Sequence, residues 1–282
     1  MVIKAALVDV GGVCVGSPIT GANDAEKLWG LPPHYINAHI TAQGEGGAFQ
    51  RLERGELPLE TFYRQFGAEL SNVETGNRAY RAYCQRTGRE CPKLPTSLKI
   101  DGKELWMHMM KPALTPDPVI IAAINALRTS NKFRLAALTN NFVVPGAAVP
   151  PPQPIPSWST LPPRRAVPFE LLSQSLQEAA ANPDSAGAPT ELLKGMFDLF
   201  IESSVEKLRK PDPAFYQLAL DRLGVKAEET VFLDDIGPNL AAAKKLGIHT
   251  IRVLPGRSIE AVKELEKVVG IPLRAELVAA KL

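Results

Sequence analysis

The sequence predicts an α/β protein in which helices cover a parallel sheet and a helical cap is inserted after the first strand. Five short, nearly continuous apolar runs have the composition of strands buried on both faces. Segments with apolar residues at helical spacing separate these runs, and such alternation is typical of parallel sheets. Residues 14–111 contain no such run and are mostly helical in pattern, so we expect them to lie over the strand ends.

The five predicted strands are rich in β-branched or aromatic residues and end in polar or turn-forming ones. They cover residues 2–8, 133–138, 196–201, 230–233 and 249–254. The first ends at Asp9, after which Gly11 and Gly12 turn the chain. Helices predicted over residues 117–129, 211–223 and 240–246 separate later strands, and a glycine follows the last two as a typical helix stop.

The remaining helical patterns divide between the cap and the C-terminal half. Cap helices are predicted over residues 22–30, 33–41, 48–54, 59–70 and 75–87, and further helices from residue 169 onward and over 258–269. Residues 143–168 contain nine prolines and predict an extended loop, either a spacer or a ligand for a proline-binding domain. The predicted domains are a core of residues 1–13 and 112–282 and a cap of residues 14–111.

Polar residues follow four of the predicted strands. They are Asp9, Thr139, Ser203 or Ser204, and the pair Asp234 and Asp235. Because ligands of open parallel sheets bind at the carboxyl ends of the strands, these side chains are expected at one site. Each one taken alone is also explained as an ordinary turn or cap residue. The joint pattern favours a site.

A phosphate ester at this edge gives each of these residues a chemical role. Asp9 can attack phosphorus as a carboxylate nucleophile, and Asp234 and Asp235 offer the hard oxygen ligands that Mg²⁺ prefers. Thr139 can bind a phosphoryl oxygen, and Lys210 can stabilise the charge on the transferring group. The structural alternatives are a helix start for Lys210, an N-cap for Asp235, and a turn for Asn140 and its neighbour.

Four stretches resemble the haloacid dehalogenase superfamily, which includes many Mg²⁺-dependent phosphatases. They are LVDVGGV at 7–13, LTNN at 138–141, RKPDP at 209–213 and VFLDDIGPNL at 231–240. The last stretch, with GGA at 46–48 and LERGEL at 52–57, resembles a narrower group, the phosphatase-like N-terminal domain of soluble epoxide hydrolases. The likeness excludes residues 143–195, and the Gly-x-Ser-x-Gly motif of an epoxide hydrolase half is absent from the sequence.

The resemblance implies a Rossmann-like, three-layer core and a specific set of site residues. It implies Asp9 as nucleophile, Lys210 as charge stabiliser, and substrate contacts from Thr139, Asn140, Gly11 and Gly12. It implies Mg²⁺ as cofactor, held by Asp9, the Gly11 carbonyl and Asp235, with Asp234 as a further ligand or a partner of metal-bound water. Phosphatases of the superfamily usually carry an acid/base Asp where this chain has Gly11, so turnover is expected to be slowed.

Three functions therefore remain open on the sequence. The first is a Mg²⁺-dependent phosphatase for a small organic phosphate that acts through an aspartyl-phosphate at Asp9. The second is a phosphate-binding or regulatory protein that has lost turnover. The third is a carbon–halogen hydrolase, which needs neither a metal nor a leaving-group acid and which the paired aspartates therefore disfavour.

Composition sets limits on partners and location. The net charge of +2 gives no reason to expect a nucleic acid or an anionic membrane as partner, and no apolar run reaches the length of a membrane span. Three cysteines without disulfide or metal spacing favour a reducing, cytoplasmic compartment. The final Ala280-Lys281-Leu282 resembles a peroxisomal signal, which makes peroxisomal import the alternative. The sequence gives no oligomeric state.

Overall fold

The computed structural model describes residues 2–143, 164–179, 181, 188 and 190–274. Five parallel strands form one sheet in the order β3-β2-β1-β4-β5. Their bounds are β1 Ala5–Val8, β2 Arg134–Thr139, β3 Leu199–Glu202, β4 Thr230–Asp234 and β5 His249–Arg252. The predicted α/β class and parallel sheet are confirmed.

The chain order of the strands locates the site. From β1 the chain builds outward through β2 to β3, and it then returns to the other side of β1 to form β4 and β5. The order therefore reverses between β1 and β4, and crevices at such a point are where open α/β sheets bind ligands. Val8 pairs with Leu233 in register, and Asp9 N–H donates to the Leu233 carbonyl at 2.9 Å. This pairing brings Asp9 and Asp234 side by side.

Thirteen α-helices lie in the described part of the chain. They are α1 Pro18–Leu28, α2 Tyr35–Ala42, α3 Ala48–Glu53, α4 Leu59–Leu70, α5 Val73–Thr87, α6 Gly102–Met110, α7 Pro118–Ser130, α8 Phe169–Ala179, α9 Glu191–Lys194, α10 Ser203–Glu206, α11 Pro213–Leu223, α12 Gly237–Lys245 and α13 Ser258–Val269. None of these helices combines the length and the apolar character that crossing a membrane requires.

The sheet is the middle layer of three. Alternate β1 residues face opposite ways: Ala6 and Val8 pack with α7, α8 and α13, whereas Ala5 and Leu7 pack with α11 and α12. All four are at most 2% exposed, as expected for a central parallel strand covered on both faces. Helices α1 to α6 bury their apolar faces in a separate cluster around Tyr35, Phe62 and Trp106.

The structure corrects several predicted boundaries. The first strand begins at Ala5, and β3 begins at Leu199 because the apolar residues before it fill the core as a turn rather than pair in the sheet. Helix α12 begins three residues earlier than predicted, with Pro238 in its first turn, and α6 was not predicted. Most of the proline-rich segment and the tripeptide Ala280-Lys281-Leu282 lie outside the described residues.

Candidate active site

Three carboxylates meet at the carboxyl ends of β1 and β4. Asp9, Asp234 and Asp235 each offer an oxygen within 4.8 Å of the others, and all three are buried. Asp9 directly follows β1, and Asp234 ends β4. The sheet register thus brings together the acidic residues that the sequence predicted at one edge.

Lys210 lies between two of these acids. Its ammonium is 2.7 Å from Asp9 Oδ1 and 2.8 Å from Asp234 Oδ2, and it lies 5.5 Å from the centre of the Phe232 ring. Burial lowers the pKa of Lys210, but Asp234 and Asp9 more than offset this, so the net shift is upward. Lys210 therefore stays positively charged although it is only 1% exposed.

One of the two oxygens of the Asp9 carboxylate is held by hydrogen bonds. Oδ1 accepts from the Val10 N–H at 2.7 Å and from Lys210, whereas Oδ2 has no hydrogen-bond donor among the described residues. Burial raises the pKa of Asp9 well above its usual value; Lys210 opposes this, and the two neighbouring acids add to it. The site thus contains more negative charge than one lysine balances.

Asp234 is fully buried and its oxygens are satisfied by the protein. Oδ1 accepts from the Ile236 N–H at 2.7 Å, Oδ2 accepts from Lys210, and the Asn239 amide donates to both oxygens at 3.1 Å. With these donors in place, Asp234 is arranged to orient Lys210. Asn239 was not singled out from the sequence.

Asp235 differs from Asp234 because one of its oxygens lacks a partner. Oδ2 accepts from Ser17 Oγ at 3.2 Å, but Oδ1 is buried and accepts no hydrogen bond from the residues that the structure describes. Burial and the nearby Asp234 raise the pKa of Asp235 to about 6. A buried carboxylate oxygen without a donor, beside two other acids, fits a cation ligand.

Gly11 and Gly12 differ in what they tolerate. Gly12 has a φ of +85°, and a Cβ there would overlap the Asp235 carboxylate. Gly11 has no such constraint: the nearest atom to an added Cβ would be a Pro18 ring carbon at 3.4 Å, which is ordinary contact. Gly12 is therefore required by the approach of Asp235, whereas the backbone at Gly11 accepts a side chain.

Gly12→Ala is expected to destabilise the protein more than Gly30→Ala. Gly30 also has positive φ, +66°, but no atom of the described residues lies within 4 Å of its added Cβ. The control should lose about 1–2 kcal/mol through backbone strain, and Gly12→Ala about 1–3 kcal/mol more through the clash. Urea unfolding of both variants measures the difference, and equal losses would show that Asp235 moves aside freely.

Thr139 ends β2 and Ser203 directly follows β3, so both lie at the sheet edge where the sequence predicts them. Thr139 is 3% exposed, its hydroxyl contacts the Asn140 carbonyl at 3.5 Å, and it does not line the cavity beside Asp9. Ser203 donates to the Glu53 carbonyl at 2.5 Å, and Ser204 donates to Asn141 at 3.0 Å. The serines therefore hold the end of β3 to α3 and to the loop after β2.

A cavity of about 370 Å³ lies between the strand ends and helices α1, α2, α3 and α6. From the strand side it is lined by Asp9, Gly11, Asn140, Lys210, Asp235 and Asn239. The helices α2, α3 and α6 contribute mainly Asn37, Ile40, Thr41, Phe49, Gln50, Glu53 and Met109. Gly12 lines a separate cleft.

An ion pair across this cavity was not predicted from the sequence. Arg209 donates to Glu53 Oε2 at 2.7 to 2.8 Å and lies 3.2 Å from Glu45. Burial raises the pKa of Glu53, and Arg209 opposes this. Both residues lie in motifs noted in the sequence, Glu53 in LERGEL and Arg209 in RKPDP, so each could have been named as a candidate site residue. Their pairing joins residues 156 positions apart, which local patterns do not reveal.

The family model of haloacid dehalogenase-like hydrolases matches residues 3–247 of this chain. The chain belongs to this family. Acyl-CoA dehydrogenase family member 10 of Mus musculus is 31% identical over 270 residues, covering 96% of this chain and 19% of that protein. Bifunctional epoxide hydrolase 2 of Sus scrofa is 26% identical over 276 residues, covering 97% of this chain and 40% of that protein. The chain thus spans two fifths or less of these curated relatives.

Among solved structures, a protein described as a haloacid dehalogenase-like (HAD-like) family hydrolase from Porphyromonas gingivalis is 19% identical to this chain. The match covers 94% of this chain and 98% of that chain, with a TM-score of 0.49. As a haloacid dehalogenase-like hydrolase, the protein is an enzyme of the hydrolase type. The family predicted from the four motifs is confirmed, and the epoxide hydrolase match agrees with the narrower resemblance.

Proposed function

We propose that the protein is a Mg²⁺-dependent phosphatase for a small organic phosphate, with Asp9 as nucleophile. The observation that carries the proposal is the buried Asp235 Oδ1, which lies in a cluster with Asp9 and Asp234 and has no hydrogen-bond partner in the described part of the chain. A divalent cation would supply the missing partner and balance the excess negative charge. This arrangement favours metal-dependent phosphoryl chemistry over carbon–halogen cleavage, which needs no cation.

The residues present fit Mg²⁺. Asp9, Asp235 and the Gly11 carbonyl would hold it. Asp234, whose oxygens already accept from Lys210, Ile236 and Asn239, would keep Lys210 and the residues after β4 in position. When bound, the ion would supply positive charge to the phosphoryl oxygens.

The chain's own residues account for the remaining steps. Asp9 Oδ2, to which no described residue donates, attacks phosphorus. A bond forms between this oxygen and phosphorus as the bond to the leaving oxygen breaks. Lys210 keeps its positive charge beside Asp9 and opposes the charge that develops on the transferring group. Water then cleaves the aspartyl-phosphate. Thr139, at the end of β2 next to β1, and Gly12, in the turn after β1, are proposed to contact the phosphate.

We also propose that residues 14–111 act as a cap that selects the organic part of the substrate. Helices α2, α3 and α6 form the cavity wall opposite the carboxylates, and the Glu53–Arg209 pair joins that wall to the core. The cap wall combines apolar side chains such as Ile40, Phe49 and Met109 with neutral polar ones.

A catalytically impaired phosphate-binding protein is the second candidate, and Gly11 is the observation that favours it. Without an acid/base at this position, the aspartyl-phosphate would form and persist. The two functions are distinguished by incubating the protein with an aryl phosphate and Mg²⁺, quenching with acid and measuring its mass. A persistent adduct of about 80 Da on Asp9 without continued product release supports binding, and steady release supports turnover.

Mg²⁺ is expected to raise the melting temperature at pH 8 and to do so much less at pH 5. The Asp235 pKa of about 6 means that protons compete with the ion as the pH falls through 6. Asp235→Asn should remove most of the shift at pH 8. Asp24→Asn, at an exposed acid paired with Lys27, is the control and should keep it. A full shift in Asp235→Asn would place the ion elsewhere.

A further inference from the structure

The Asn140 side chain forms two hydrogen bonds with the backbone of one distant residue. Its Oδ1 accepts from the Lys210 N–H at 2.8 Å, and its Nδ2 donates to the Lys210 carbonyl at 3.1 Å. The two residues are 70 positions apart, so the contact joins the end of β2 to the loop before α11. Both polar backbone groups of Lys210 are engaged, which fixes the position and the rotation of this residue.

The position of the Lys210 backbone determines where its charge lies. The side chain is a flexible four-carbon stem, and its ammonium contacts the carboxylates of Asp9 and Asp234 at 2.7 and 2.8 Å. We propose that Asn140 is a positioning residue that holds Lys210 between the nucleophile and Asp234, rather than a ligand of the substrate. The role of Asp9 as nucleophile rests on the proposed function, whereas the contacts of Asn140 with Lys210 do not depend on it.

The neighbouring Asn141 provides a matched control. Its amide also forms two side-chain hydrogen bonds, donating to Glu202 at 2.6 Å and accepting from Ser204 at 3.0 Å. Both residues are half-buried. Asn141→Ala therefore removes as many hydrogen bonds from the same loop without touching Lys210.

Acetylation by acetic anhydride, followed by peptide mass spectrometry, tests the positioning directly. The reference is Lys27, whose side chain is 76% exposed. Asn140→Ala should raise the acetylation rate of Lys210 relative to Lys27 by about tenfold or more, as expected when two hydrogen bonds no longer oppose local opening. Asn140→Asp keeps the acceptor for the Lys210 N–H and should give an intermediate rate. Asn141→Ala should stay at the wild-type rate.

Kinetics separates positioning from substrate binding. A displaced Lys210 should lower kcat by roughly 10²-fold with KM changed by less than about threefold, whereas loss of a substrate contact would raise KM. The proposal is overturned if Lys210 is acetylated at the same rate in Asn140→Ala as in Asn141→Ala. If Asn140→Ala does not fold, the same comparison is made between Asn140→Asp and Asn141→Ala. If Asp9→Asn keeps its turnover, the proposed function fails, and the acetylation result still decides the role of Asn140.

Discussion

Asp9→Asn is expected to lower kcat for phosphate-ester hydrolysis by on the order of 10⁴-fold or more while leaving the folded state at least as stable as the wild type. The loss of rate follows from the loss of the nucleophile, since the amide keeps the shape of the carboxylate but not its charge. Initial rates with an aryl phosphate and Mg²⁺ measure it.

The stability half of this expectation follows from the sign of the Asp9 pKa shift. Burial raises the pKa of Asp9, so the unfolded state releases its proton at a lower pH than the folded state does. Above the unfolded pKa, ionisation of Asp9 therefore works against folding, and this cost is removed in Asp9→Asn. Lys210 keeps Asp234 as a partner. Urea unfolding of the metal-free protein at pH 7 measures the effect.

Asp198→Asn is the matched control. Both carboxylates are 8% exposed and ion-paired at 2.7 Å, Asp198 with Arg164 and Asp9 with Lys210. At Asp198 the substitution removes the charge partner of Arg164, whose side chain is 10% exposed. This loss should cost up to about 3–5 kcal/mol and should leave kcat unchanged. The interpretation of Asp9 is wrong if Asp9→Asn loses as much stability as Asp198→Asn, or if it keeps near-wild-type kcat.

The fold was accessible from the sequence because each buried parallel strand is a local signal. Ala5–Val8 is apolar throughout, and its neighbours β2 and β4 are apolar between polar end residues. Boundaries were less accessible: Met196 and Phe197 are as buried as strand residues, yet they precede β3. Burial determines apolar composition, whereas pairing in the sheet depends on the partner strand.

The site was accessible only in part. The acids lie in short motifs at strand ends, so their meeting follows from the parallel order, and Lys210 lies in the RKPDP motif of the loop before α11. The different roles of Asp234 and Asp235 do not follow from the strand order. They depend on the hydrogen-bond donors, which are Asn239 for Asp234 and Ser17 for Asp235. The pairing of Glu53 with Arg209 likewise depends on how the cap packs on the core.

Restoring an acid with Gly11→Asp is expected to raise kcat/KM for alkyl phosphates by about 10²–10⁴-fold, the usual contribution of a general acid. Gly11 lines the same cavity as Asp9, and the space beyond its Cα accepts a Cβ without clash. With glycine there, the leaving oxygen departs without a proton from this position. The wild type should therefore prefer aryl and acyl phosphates, whose leaving groups are more acidic.

The same argument predicts a burst of product followed by slow release in the wild type, because water that attacks the aspartyl-phosphate lacks its base. Stopped-flow measurement with an aryl phosphate detects the burst, which Gly11→Asp should remove. Gly11→Asn has the same shape without the acid and should behave as the wild type. If the wild type instead hydrolyses alkyl and aryl phosphates equally fast, a cavity-lining carboxyl supplies the proton. Glu53, whose pKa is raised by burial, would then be the donor, and Glu53→Gln would lose the alkyl activity selectively.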